Sequence, residues 1–153
     1  LETQAHDTLK QLEPDDERYN EIPPEYCAAF PLDYGIHATQ VAGSFGYLSS
    51  IYKVIDRRSG LPYALRRVDG ARVSQKVTAS VQSRWRAVCH SNIISLRRIF
   101  VHGGATYFVH QYWPCAQSLL QYHFAPSTQD GTSLIDESCL WSYLLQLVTA
   151  TRT

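Results

Sequence analysis

The sequence lacks the features that mark secreted, metal-binding or membrane proteins. Its four cysteines are far apart and form no C-x-x-C pair, and its six histidines show no ligand spacing with them. We therefore interpret the cysteines as reduced structural thiols. No apolar run approaches the roughly 20 residues that a bilayer-spanning helix needs, and the N-terminus is acidic and polar instead of basic and then apolar. These absences predict a cytosolic or nuclear protein that does not associate with membranes.

Net charge is also absent, because 14 basic residues balance 14 acidic ones. The charges are nevertheless separated along the chain: residues 1–25 contain eight acidic and two basic residues, whereas residues 53–98 contain eleven basic and two acidic ones. A basic central region could attract phosphate groups or nucleic acid, or it could be a solvated surface. Charge alone leaves both interpretations open.

The hydrophobic pattern predicts one α+β domain, since 153 residues with 44% hydrophobic content can bury a sizeable core. Alternating apolar residues predict an antiparallel sheet, and apolar residues at three- and four-residue steps predict helices at 74–88 and 136–152. Trp85, Phe100, Trp141 and Tyr143 are expected in the core. The predicted strands are QVAG, SIYKVID, PYALRRV, 94–101 and 106–112, the last two joined by a hairpin turn at His102-Gly103-Gly104.

This order resembles the small lobe of a protein kinase followed by the first helices of the large lobe. In the kinase pattern, Y-K on the second strand precedes V-A-I-K on the third. Tyr52-Lys53 and Tyr63-Ala64-Leu65-Arg66 match those two motifs, so Arg66 takes the place of the lysine that pairs with nucleotide phosphates. Arg67 should then face the other side of the strand. Residues 90–96 resemble the kinase element H-P-N-I-V-x-L, and residues 107–112 resemble the fifth strand, which runs into the adenine-binding hinge.

The domain boundaries follow from this resemblance. Residues 1–18 are predicted to be a linker or disordered tail, and residues 19–35 an irregular segment packed on the domain. The kinase-like small lobe then occupies 36–112, and 113–153 contains the hinge and the start of an incomplete large lobe. The final helix is expected to expose an apolar face that nothing in the sequence covers: Leu140, Trp141, Leu144, Leu145, Leu147 and Val148.

Two departures from the kinase pattern argue against catalysis. Of the three loop glycines that approach the phosphates, Gly46 is kept and the other two positions hold Ser44 and Ser49. The helix position that carries the lysine-pairing glutamate in kinases is Val81, and residues 70–90 contain no acid. The sequence also ends at Thr153, before any catalytic loop or metal-binding D-F-G motif. We therefore expect a fragment that holds a nucleotide without phosphoryl transfer and that has no catalytic or metal-ligating residue.

Four further stretches are similar to one particular kinase-like family. They are F-P-L-D at 30–33, F-G-Y-x-x-S-x-Y-K at 45–53, L-R-R at 65–67, and an E-S-x-x-W-x-Y-x-x-Q-L-x-x-A-x-R-T run ending at 153. Together they resemble the regulatory pseudokinase subunit of the cytoplasmic poly(A)-specific ribonuclease (deadenylase), over roughly residues 12–153.

The resemblance implies a function in messenger-RNA decay. The resemblance implies that the protein is cytoplasmic, with mRNA-decay granules as one location, and that it binds ATP as a cofactor without hydrolysing it or transferring its phosphate. It also implies that the protein forms homodimers, recruits the catalytic nuclease subunit, and bridges to poly(A)-binding protein and poly(A) RNA. Carried over to this chain, the nucleotide contacts are Gly46, Arg66, Gln111, Tyr112, Trp113, Pro114, Cys115, Ala116, Gln117 and Ser118.

Two other functions remain open at this point: an active serine/threonine protein kinase and a basic RNA-binding module. The missing helix acid and the reduced number of loop glycines weigh against the kinase. No RNP-type aromatic motif or KH loop is present, so an RNA-binding module would depend on basic surface patches alone.

Overall fold

The computed structural model describes residues 10–32, 41–42, 46–71, 73–124 and 135–152. The elements are a 3₁₀ helix Glu17–Glu21, β1 Tyr26–Pro31, β2 Val41–Ala42, β3 Tyr47–Asp56, β4 Pro62–Val68, α1 Gln75–Arg86, β5 Leu96–His102, β6 Ala105–Gln111, α2 Leu119–Phe124 and α3 Glu137–Ala150. The centre of the structure is an antiparallel sheet with the strand order β1-β3-β4-β6-β5, and the short strand β2 pairs with the beginning of β3.

The side chains of the sheet lie on two opposite faces. Arg66 on β4 pairs with Ile51 on β3 and with Phe108 on β6, so these three side chains share one face. Leu65, one residue earlier, pairs with Tyr52 and lies on the opposite face. We call the face of Arg66 the cleft face and the face of Leu65 the core face.

Residues 10–25, the N-terminal segment, cover the core face. This corrects the prediction of a linker or tail at 1–18 over the described residues 10–18. Leu12 is 5% exposed, belongs to the main hydrophobic cluster, and donates its N–H to the carbonyl oxygen of Ala29 at 2.9 Å. Residues 1–9 lie outside the described residues. The cluster joins the segment to the sheet through Leu12, Ile22, Tyr26, Ala29, Tyr52, Val54, Leu65, Ala105, Tyr107 and Val109.

The prediction of an irregular segment at 19–35 also needs correction, because Tyr26–Pro31 is a strand at the edge of the sheet. Its register shifts between Cys27 and Phe30, and Ala28 has a positive φ of 50°. A bulge of this kind interrupts the two-residue alternation by which a strand is recognised from sequence.

Helix α1 begins after Ser74, whose side chain accepts a hydrogen bond from the N–H of Val77. The helix packs beside β5 and buries Thr78. Trp85 is 40% exposed and Trp141, in α3, is 63% exposed, so the prediction that these two are core residues was wrong. The apolar stripe of α1 borders a cavity instead of a filled core, as described below.

Strands β5 and β6 form the predicted hairpin. His102 pairs with Ala105, and the two turn residues, Gly103 and Gly104, have φ angles of 55° and 81°. A two-residue turn with positive φ at both positions favours glycine. Phe100 packs against the core and stacks on Tyr107 with a centroid distance of 5.3 Å, which confirms its prediction.

Helix α3 makes few polar contacts with the rest of the chain. Asn92 Nδ2 donates to the carbonyl oxygen of Gln146 at 3.2 Å, and His123 Nε2 lies 2.9 Å from the Tyr143 hydroxyl. The six apolar residues predicted to be uncovered are 46–66% exposed, so that prediction is confirmed. Within the described ranges, no helix has the length and apolarity required to cross a membrane.

Candidate functional site

A mostly apolar cavity of about 420 Å³ lies between the cleft face of the sheet and α1. Four strands and the helix contribute to it. The residues that surround it include Tyr47 and Ser49 of β3, Arg66 of β4, Leu96 of β5, Phe108 and His110 of β6, and Val81 of α1. Of the predicted site residues, the structure thus places Arg66 in the cavity wall.

Arg66 is held in place by a serine instead of an acid. Its Nε donates to Ser49 Oγ at 2.9 Å, and Ser49 occupies the third glycine position of the kinase loop. Val81, at the position of the kinase glutamate, lines the same cavity and has no charge. Among the described residues, Arg66 forms no ion pair.

Arg67 lies on the core face, as the alternation along β4 predicts. Its guanidinium contacts the carboxylates of Glu21 and of Asp69, the latter at 2.8 Å. Tyr107 adds a second contact to the same segment, since its hydroxyl donates to the carbonyl oxygen of Glu21 at 2.5 Å. Arg67 therefore fixes the N-terminal segment to the sheet, while Arg66 is available to the cavity.

His110 forms the end of the cavity next to the hinge. Its Nδ1 is buried and has no hydrogen-bond partner in the described part of the chain. Burial lowers the pKa of His110, and the nearby positive charge of Arg66 lowers it further. The neutral form of the imidazole is therefore favoured in the folded chain.

The predicted hinge follows β6 without lining the cavity. Gln111 is the last residue of β6 and pairs with Tyr63, and the following residues up to Ser118 run along the surface. Trp113 is 55% exposed, and Cys115 has a φ of 57°, in the left-handed region that a non-glycine residue seldom adopts.

Gly46 lies at the other end of the site, immediately before β3, with a φ of 68°. A residue with a Cβ would be strained at this angle although open space surrounds the position. Ser44, the first of the three loop positions, lies outside the described residues. The structure thus places Gly46 and the hinge at two ends of the cleft face, with Arg66 between them.

Lys53 is a residue of the cleft face whose environment the sequence did not reveal. It is 8% exposed, and its Nζ lies 4.9 Å from the centroid of the Phe30 ring and 5.2 Å from that of Tyr112. Burial lowers the pKa of this lysine. The period of two along β3 puts Lys53 on the same face as Ser49, but its contact with Phe30 depends on the pairing of β1 with β3. Lys53 therefore connects β1 to the hinge through cation–π contacts.

The sheet order, the single helix beside β5 and the hinge after β6 define the small lobe of a protein-kinase-like fold. The first helices of a large lobe follow. In this lobe arginine replaces the phosphate-pairing lysine, and valine replaces the glutamate that pairs with it. No metal-binding cluster of three or more suitable side chains occurs in the ranges that the structure describes.

Comparisons of the sequence identify relatives among curated proteins. No protein-family model matches the chain. The PAN2–PAN3 deadenylation complex subunit pan3 of Dictyostelium discoideum is 35% identical over 150 residues, covering 93% of this chain and 20% of the relative. The human subunit PAN3 is 27% identical over 152 residues, covering 84% of this chain and 17% of that protein. The chain is therefore homologous to PAN3 subunits, and it spans about a fifth of the length of these curated relatives.

Solved structures give the same result for the fold. The Neurospora crassa PAN3 pseudokinase matches with a TM-score of 0.74 at 30% identity, covering 93% of this chain and 35% of that one. A complex of N. crassa PAN2 with PAN3 matches with a TM-score of 0.76 at 29% identity, with the same coverage. The Drosophila melanogaster PAN3 pseudokinase has a TM-score of 0.69 at 25% identity, covering 84% and 34%. The predicted kinase-like fold, incomplete in its large lobe, and the predicted family resemblance are confirmed.

Proposed function

We propose that this chain is part of a PAN3-type pseudokinase, the regulatory subunit of a poly(A) deadenylase, and that it contributes to an ATP site that does not transfer phosphate. The homology to PAN3 subunits supports the role. The observation that carries the nucleotide proposal is the position of Arg66, held at the cleft face by Ser49 with Val81 opposite.

The chemistry of Arg66 suits binding more than catalysis. A guanidinium stays charged and presents a rigid fork of donors that matches phosphate oxygens. In kinases a helix glutamate fixes the lysine on the phosphates for transfer. Here the serine hydroxyl orients the guanidinium without neutralising it, so the charge remains available to an anion. Gly46 and the segment from Gln111 to Ser118 would hold the remaining parts of the nucleotide.

The proposed partners follow from the relatives. The names of the similar proteins describe a PAN2–PAN3 deadenylation complex, and one similar structure contains PAN2 with PAN3. We extend to this protein a catalytic nuclease partner, homodimerisation, and contacts with poly(A)-binding protein and poly(A) RNA in the cytoplasm. Its exposed bases include Lys76, Arg84, Arg86 and Arg97, which suit contacts to RNA phosphates.

Calorimetric titration of the full-length protein with ATP tests the site. Arg66→Ala removes a charge-assisted phosphate contact, and we expect about 1.5–3 kcal/mol weaker binding, roughly 10- to 150-fold in Kd. Arg58→Ala, in the exposed β3–β4 turn, is the matched control and should leave the affinity unchanged. Equal affinities for wild type and Arg66→Ala would exclude a phosphate contact at Arg66.

A radiolabelled-ATP assay tests the absence of transfer. The wild-type protein should give no phosphorylated product, and the double variant Arg66→Lys with Val81→Glu should not gain activity if the catalytic loop of the full-length protein is also degraded. Phosphate transfer by the wild type would show that the protein is an active kinase and would overturn the pseudokinase proposal.

A further inference from the structure

Strand β5 is the outermost strand of the sheet on the side away from β1. One edge of β5 pairs with β6, so the other edge presents backbone groups that no strand in the described part of the chain satisfies. The N–H of Ile99 points to this outer edge, because it donates to the side chain of Gln82 at 3.4 Å. Since the ladder alternates, Val101 presents its N–H and carbonyl on the same edge.

A groove of about 790 Å³ runs along this outer edge. One wall contains Pro23 and Pro24, the opposite wall is α1 with Thr78 and Ala79, and the floor is β5. Both faces of β5 contribute, because Ile99 pairs with Phe108 on the cleft face whereas Phe100 pairs with Tyr107 on the core face. The groove therefore follows the edge of the strand, which is the geometry that an added β-strand requires.

The two charged residues that line this groove, Glu25 and Arg98, cancel each other, and the basic excess comes from residues next to the lining. Glu25, an acid in its lining, is held by Arg98 at 2.7 Å. The adjoining helix contributes exposed Lys76, and β5 contributes exposed Arg97, while residues 70–90 contain no acid. A second copy of β5 would bring the same basic surface against itself, and like charges across an interface are unfavourable. An acidic strand is favoured by the same field.

We propose that the outer edge of β5 binds an extended, acidic segment of a partner protein as an additional strand. The main chain of that segment bonds to Ile99 and Val101 and displaces the long hydrogen bond that the Ile99 N–H donates to Gln82 Oε1. An apolar side chain of the segment packs against Phe100 and Pro24, and its acidic side chains lie near Arg97.

A displayed library of random ten-residue peptides, selected on the immobilised 153-residue chain, is the probe. We expect the selected peptides to be rich in Asp and Glu, and we expect these acidic residues to alternate with β-branched residues along each peptide. In NMR spectra of the isotope-labelled chain, these peptides should shift the backbone amide signals of Ile99 and Val101. They should also slow the hydrogen exchange of both amides. N-methylation of a peptide residue whose N–H faces β5 should weaken binding about tenfold, and N-methylation of the next residue should have little effect.

Variants of the chain provide the second measurement. Val101→Pro removes an outward N–H without breaking the β5–β6 ladder, and it should abolish peptide binding. Val101→Thr retains the N–H and is the matched control. Arg97→Glu should weaken binding of the acidic peptides, whereas Arg58→Glu, in the distant exposed turn, should not. Thermal melts establish whether each variant is folded. If Val101→Pro is unfolded, the N-methylated peptides still test the proposal, because they are measured on the wild-type chain.

Three results would overturn the proposal. The first is that N-methylation at the two peptide positions weakens binding equally, or that neither weakens it, since strand addition requires only one of the two N–H groups. The second is protection of the Ile99 and Val101 amides in peptide-free chain that rises with protein concentration, because a second copy would then be the occupant. The third is failure to select acidic peptides while an RNA oligonucleotide protects the same amides. ATP binding should be unaffected by Val101→Pro, so failure here is distinguishable from failure of the nucleotide site.

Discussion

Replacing Leu12 by alanine tests whether the N-terminal segment is an integral part of the small lobe. Leu12 is 5% exposed and lies in the same hydrophobic cluster as Tyr52, Leu65 and Val109. Its backbone N–H also donates to Ala29 on β1. Truncation to alanine therefore leaves a cavity between the segment and the core face without removing that hydrogen bond.

The expected loss of stability follows from this burial. Leu→Ala substitutions at fully buried positions cost about 2–5 kcal/mol. Detachment of residues 10–18 would limit the loss of stability. The substitution cannot lower the free energy of unfolding by more than the docking of residues 10–18 contributes to it. We therefore expect about 2–3 kcal/mol and a fall in Tm of roughly 10 °C. Leu61→Ala is the matched control, since Leu61 is 54% exposed in the β3–β4 turn and should change stability by less than about 0.5 kcal/mol.

Urea unfolding followed by far-ultraviolet circular dichroism is the appropriate assay. Tryptophan fluorescence is less suitable, because Trp85, Trp113 and Trp141 are 40–63% exposed and none belongs to the cluster around Leu12. If Leu12→Ala and Leu61→Ala have the same midpoint, the segment contributes no stability and its assignment to the core is wrong.

Two further substitutions test the two faces of the sheet. Arg67→Ala should cost about 1–2 kcal/mol in the same assay, because it leaves the partly exposed carboxylates of Glu21 and Asp69 unpaired; an unchanged midpoint would show that this cluster is not stabilising. His110→Gln should reduce the loss of stability on acidification. The pKa of His110 is lowered in the folded state, so the unfolded chain takes up the proton first as the pH falls through about 6.5, and the wild type is destabilised. Thermal melts at pH 7.5 and 5.5 check this, and an equal decrease in Tm for both proteins would contradict it.

The sequence predicted the part of the fold that depends on local signals. The register of Arg66 follows from Tyr52-Lys53 and the short turn after it, and the β5–β6 hairpin follows from two adjacent glycines. Strand β1 was missed because its bulge at Ala28 interrupts the alternation. The cover over the core face was missed because Leu12 lies in a polar, acidic stretch with little apolar periodicity, and its burial depends on contacts with strands far away in sequence.

The same distinction applies to the candidate site. The positions of Arg66 and Val81 could be predicted from motif spacing, and so could the orientation of Arg67. The burial of Lys53 between Phe30 and Tyr112 could not, since it combines β1, β3 and the hinge. The Arg66–Ser49 bond depends on the pairing of Ile51 with Arg66, which places Ser49 two residues away on the same face.

The replacements at positions 49 and 81 are related through Arg66. In a kinase, a glycine at the first position lets the backbone approach the phosphates, and a glutamate at the second fixes the lysine. Here Ser49 supplies the hydrogen bond that orients the guanidinium, so a helix acid is not needed for that purpose. An acid at position 81 would in addition offset the charge of Arg66 inside an apolar cavity, where electrostatic interactions are strong. Valine leaves the guanidinium oriented and positively charged, which favours an anion in the cleft without the ion pair that aligns it for transfer.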